Sequence, residues 1–195
     1  MLKKVLAAVC LGLGSSVVFA YSMPTPYKDK ANNLIYNLLF CDQPDLFKKQ
    51  AQKERQPPWN ILFNNPPDFE AIARIAADTT QEARVRALSF NILRKAGKPV
   101  PAKVLLATII EVRLPDGLDT LAVFADGGAR YINYRGKLVI VEGTPNPFAK
   151  EIKDVLATSA PIVAAIGPWD KARLAAPEPG NVRMSFIVSD GLYFG

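Results

Sequence analysis

The stretch from Val104 to Glu142, VLLATIIEVRLPDGLDTLAVFADGGARYINYRGKLVIVE, constrains the fold more than any other part of the chain. It holds four β-type runs joined by three turn signals: Pro115-Asp116-Gly117, Asp126-Gly127-Gly128 and Arg135-Gly136. Leu121 and Val123 alternate with Thr120 and Ala122, and Arg130, Ile132 and Tyr134 alternate with Tyr131 and Asn133. Such a pattern predicts an antiparallel meander of about four strands. Val104 to Val112 is almost wholly apolar, as a central strand buried on both faces would be. The Asp-Gly pairs are expected to supply the positive φ angles that tight hairpins need.

Helical patterns flank this stretch on both sides. Ala31, Leu34, Ile35, Leu38 and Leu39 recur at spacings of three and four, which predicts an amphipathic helix across Lys28 to Phe40. Asp68 caps a second helix that carries Phe69, Ile72 and Ile75 on one face. Thr79-Thr80-Gln81-Glu82 reads as a capping box opening a third, which ends at Gly97. After Gly143-Thr144-Pro145-Asn146-Pro147, a long helix is expected from Phe148 to about Ile166 on the core face Ile152, Val155 and Leu156, kinked or divided at Pro161. Val182 to Val188 is a final strand, with Leu192 to Phe194 returning beside it. This order predicts an α+β fold: N-terminal helices, the meander, a long C-terminal helix and a final strand or hairpin, the helices covering one side of the sheet.

Residues 1–20 read differently from the rest. Lys3 and Lys4 precede an apolar run from Val5 to Val18, and Val18-Phe19-Ala20 resembles a cleavage site. The pattern predicts a secretory signal peptide rather than a membrane span, for which the run is too short. Residues 21–195 are then a single α+β domain, with a helical part at about 28–97 and a sheet part at about 103–195. The expected location is periplasmic or secreted, without a transmembrane segment in the mature chain. Tyr21 to Tyr27 reads as a poorly ordered leader.

Composition narrows the chemistry. The chain of 195 residues contains no histidine, which removes Ser-His-Asp and Cys-His catalysis and zinc sites built on His and Cys. Of its two cysteines, Cys10 lies in the predicted signal peptide, leaving Cys41 without an internal partner; its place after Leu38-Leu39-Phe40 predicts burial. Without Lys3 and Lys4, 22 basic side chains face 18 acidic ones, and the excess falls in the helical part. An anionic envelope surface is one partner this suits; nucleic acid is not expected, because no binding motif is present. G-x-S-x-G, P-loop, dinucleotide and CxxC patterns are all missing, so no cofactor is expected.

Three candidate constellations remain. Asp116-Gly117, Asp126-Gly127 and Asp190-Gly191 lack the alternating carboxylates of a calcium loop and read as turns, so no metal ligand is assigned. Glu111 and Glu142, with Asp119 and Asp126 nearby, could support glycan hydrolysis if two of them converge. Tyr131, Tyr134 and Arg135 form a polar-aromatic group of the kind enriched at interface hot spots, and are the expected binding residues. The function this favours is an exported, non-catalytic module that binds another protein, of the inhibitor or immunity type. The alternatives are an envelope glycan hydrolase using paired carboxylates, and a structural envelope factor.

Overall fold

The computed structural model describes residues 23–54 and 56–194. The predicted signal peptide and its cleavage site lie outside them. The helical part consists of α1 (Lys30–Leu39), a 3-10 turn (Pro44–Phe47), α2 (Lys48–Lys53), α3 (Trp59–Leu62), α4 (Phe69–Ala77) and α5 (Ala83–Lys95). The sheet part consists of β1 (Leu105–Leu114), β2 (Gly117–Phe124), β3 (Ala129–Ile132), β4 (Leu138–Val141), α6 (Ala149–Ala165), β5 (Val182–Val188) and β6 (Gly191–Phe194).

Among the described residues, one antiparallel sheet contains six strands, in the order β4-β3-β2-β1-β5-β6. The sheet is therefore larger than the expected meander of about four strands. The C-terminal hairpin does not stand apart: β5 pairs along β1, from Leu105↔Val188 to Val112↔Val182. That pairing makes β1 the central strand, as its apolar composition requires. A register shift between Leu105 and Ala107 turns both Leu106 and Ala107 toward the helical part, where both are buried.

The helices lie on both faces of the sheet rather than on one. Tyr36 of α1 donates to Glu111 on one face of β1, whereas Thr108, from the opposite face, donates to Ser159 of α6. The main core is between the sheet and α1, α4 and α5, and includes Tyr36, Ile72, Leu88, Ile109, Phe124 and Ile132. Smaller clusters fill the α6 side, one around Val163, Phe186 and Tyr193, the other around Val123, Ala129 and Ile152. Pro161 sits inside α6, yet the helix is one unbroken element. Proline removes one N–H and its bond; here Ser159 and Val163, buried on either side of it, hold the turn against the sheet.

Local details depart from expectation in instructive ways. Leu39 is buried and Ile35 and Leu38 pack against the core as expected, but Leu34 is half exposed and Tyr36 is buried, so the stripe of α1 is rotated toward Tyr36. The leader is not loose where it meets the core: the Tyr27 hydroxyl donates to Thr120 and to the Ile132 carbonyl. The capping box does not form. Asp78 organises that turn by accepting from the Thr80 amide and hydroxyl, and α5 begins at Ala83. Its cap comes from the β2–β3 turn, where Asp126 Oδ2 accepts from the Ala83 amide at 2.8 Å. Of the turn glycines, Gly127 has the positive φ (+87°) that the β2–β3 turn requires. Gly117 and Gly191, of the other two Asp-Gly pairs, do not; at Gly117 a Cβ would come within 2.9 Å of the Tyr134 carbonyl oxygen, so close packing excludes a side chain.

Candidate functional site

The three expected binding residues divide between two recesses. Tyr131 extends from β3 on the α6 side of the sheet and lines an apolar groove of about 260 Å³. Leu121, Val123, Val139 and Val141 form its floor, and Phe148, Ile152 and Val155 its wall. α6 packs mainly over β1 and β2; at the β3–β4 end of this face Ile152, Val155 and Leu156 reach Ala129 and Val141 in one apolar cluster and leave Val139 exposed. Val139 and Phe148 are 45% and 52% exposed there. The Tyr131 hydroxyl donates to Asp119 Oδ2 at 2.9 Å, which fixes the ring. Partial burial and the Asp119 carboxylate hold that hydroxyl above the ordinary phenol range.

Tyr134 and Arg135 occupy the β3–β4 turn and line a separate polar recess with Lys28, Asp29, Asn32 and Asp116. The Arg135 guanidinium lies 5.2 Å from the Tyr134 ring centroid, within cation–π range. Asp119 links the two recesses, since its Oδ1 accepts from the Tyr134 amide at 2.7 Å.

The carboxylates considered for glycan hydrolysis are engaged within the chain. Glu111 is not solvated; it is 1% exposed, and accepts from the Tyr36 hydroxyl at 2.8 Å and from Arg183 Nε at 3.0 Å. Burial, and then the Glu111 charge, hold the Tyr36 hydroxyl well above the phenol range. Asp119 serves Tyr131 and Tyr134, and Asp126 serves Ala83 and Gly128. Glu142 is ion-paired with the buried Arg130, whose guanidinium also donates to the Ala129 carbonyl. Asp126 and Glu142 do line one polar cleft, of about 290 Å³, with Glu82, Arg84 and Arg130. Glu111 does not line it.

A second buried polar group joins α1 to the segment after α6. Arg173 pairs with Asp42 and donates to Asn37, while its guanidinium lies 3.9 Å from the Phe40 ring centroid. Cys41 is buried beside it on the α1 side, and burial pushes its thiol up to about 12. Among the described residues, no group of three or more His, Cys, Asp or Glu side chains is placed to hold a metal ion, and no helix is long and apolar enough to cross a membrane. The chain matches no protein-family model, no curated protein and no solved structure.

The groove residues missing from the sequence reading, Val139, Val141 and Phe148, carried a signal of a different kind. Leu138 to Val141 is an apolar run with no alternation, which reads as a buried strand; only its position at the edge exposes it. Ile152 and Val155 were legible as the apolar face of α6, but not as the wall of a groove.

Proposed function

We propose that this protein is an exported, non-catalytic protein-binding module that takes an apolar segment of its partner into the groove between α6 and the β3–β4 end of the sheet. The observation that carries this reading is the groove itself: a concave, apolar surface with exposed Val139 and Phe148, framed by the polar group of Tyr131 and Asp119. Apolar anchors surrounded by polar groups are the usual composition of an interface centre and rim. Tyr134 and Arg135, in the neighbouring turn, contribute to that rim. The inhibitor or immunity type of function suits such a surface, as does the absence of histidine from the whole chain. Periplasmic or secreted placement rests on the sequence of residues 1–20.

Capture from the cell's own envelope fraction tests this. Wild-type protein should retain a partner in stoichiometric amount, and Phe148→Asp should reduce its affinity at least about tenfold, the loss of one interface anchor. Tyr131→Ala and Arg135→Ala should weaken it further without unfolding the chain. A partner held equally well by Phe148→Asp, or no partner at all, would contradict the reading.

A further inference from the structure

Arg113, Arg173 and Arg183 all belong to the end of the α1 side that meets the N-terminal leader. Arg183 pairs with Glu111 at 3.0 Å, and Arg173 pairs with Asp42 at 3.0 Å. Arg113 follows Glu111 on β1 and, by strand alternation, shares its face. Among the described residues, no ion pair, hydrogen bond or ring contact engages its guanidinium. Its Nε is buried without a partner, and its terminal nitrogens stay accessible. Burying part of a guanidinium costs free energy unless a partner offsets it. The fold supplies that partner to Arg173 and Arg183 but not to Arg113.

Arg113 lines a recess of about 390 Å³, together with Pro24 and Pro26 of the leader and Pro177, Glu178 and Pro179 of the loop after α6. These walls are held in place. Proline rings lock φ, and Asn37 Nδ2 donates to the Pro24 carbonyl at 2.9 Å. The loop is bonded to Arg113 itself: Gly180 N donates to the Arg113 carbonyl, and the Arg113 amide donates to the Asn181 carbonyl, both at 3.0 Å. The recess is therefore preformed, with apolar rings for walls and an unpaired cation at one side.

We infer that this recess binds a small monocarboxylate with an apolar body, its carboxylate on the Arg113 guanidinium and its body against the prolines. The terminal nitrogens of a guanidinium match the two oxygens of a carboxylate in a charge-assisted, two-pronged pair. The volume is that of a small-molecule site, where apolar walls take the body of a ligand and a few polar groups fix its orientation. Glu178 is exposed in the same recess, so a dianion such as phosphate would face a like charge there. The recess lies across the sheet from the α6 groove, and its ligand needs no part of the protein-binding function proposed above.

The test is titration of benzoate into the purified chain from residue 21 onward, followed through the Arg113 Nε–H and the Gly180 and Asn181 amides in proton–nitrogen NMR spectra. A saturable shift of all three signals is expected. Acetate, which lacks most of the apolar body, should bind at least about tenfold more weakly, and phosphate should give no saturable shift. Arg113→Gln should abolish the saturable amide shifts. Glu178→Gln, at an exposed position, should strengthen benzoate binding about two- to fivefold by removing a like charge. Phe148→Asp, in the other groove, should leave it unchanged. No saturable shift with benzoate, equal affinity for acetate or phosphate, or binding retained by a folded Arg113→Gln overturns the inference. If Arg113→Gln fails to fold, Glu178→Gln decides: benzoate affinity that stays the same or falls overturns it. Benzoate binding lost with Phe148→Asp would also overturn it, by moving the site into the groove. A captured protein partner indifferent to Phe148→Asp would instead contradict only the function proposed above.

Discussion

Asp126 and Glu111 show how residues far apart in the chain decide the local structure of this protein. Asp126 closes the β2–β3 turn by accepting from Gly128 and caps α5 by accepting from Ala83. Asp126→Ala should lower stability by about 1–2 kcal/mol, the loss of a good cap, read from urea denaturation; an unchanged midpoint would show the cap to be idle. Glu111 carries more, because a buried ion pair that loses one member leaves the other uncompensated. Arg183→Ala or Glu111→Ala should cost about 3–5 kcal/mol, and a paired apolar replacement of both should cost much less. These roles were not legible in the sequence. Glu111 sits in a strand pattern that says nothing of Tyr36, 75 positions away, or of Arg183, 72 away. The Thr79–Glu82 capping box was legible but false, because Asp78 offered its own turn a better local acceptor and Asp126 reached the helix from another element. Cys41 was read correctly from its apolar neighbours, which bury it.

At the scale of elements, what periodicity governs was readable and what pairing governs was not. The bounds of β5 match the run Val182 to Val188, and the core face of α6 was visible in Ile152, Val155 and Leu156. The placement of the C-terminal hairpin against β1 was not visible, since any apolar strand can pair with any other until the whole chain is placed. α6 runs through Pro161, whose side chain is exposed. Pro161→Ala would return the missing backbone donor, and should raise stability by roughly 1–3 kcal/mol in thermal denaturation. A fall in melting temperature would mean that the proline shapes the helix for its seat on the sheet. The exposure of β4 follows from its place at the end of the strand order, so the sequence could name the strand but not its open side.

At the scale of the whole molecule, the sheet is clad by helices on both faces, and beside the contact of α6 with Ala129 and Val141 it keeps Val139 exposed. The same architecture buries several acidic hydrogens. Burial leads the causes that raise Tyr27, Tyr36, Tyr193 and Cys41, the last two to about 12. Each group is held neutral in the fold and ionises earlier once unfolded, so its contribution is complete below about pH 9 and is lost as the pH rises toward 12. Stability should therefore be level from pH 7 to 9 and fall steeply above it, in chemical denaturation at each pH. Cys41 should resist thiol reagents until the chain unfolds. The uncovered groove remains the feature that the fold itself does not explain, and it is the basis of the binding function proposed. The most direct measurement is photo-crosslinking in the living cell from an amino acid placed at Phe148, with Val182 as the exposed control. A discrete adduct with one other protein from position 148, and none from 182, is the expected result; no adduct from 148, or the same adducts from both, would contradict the account.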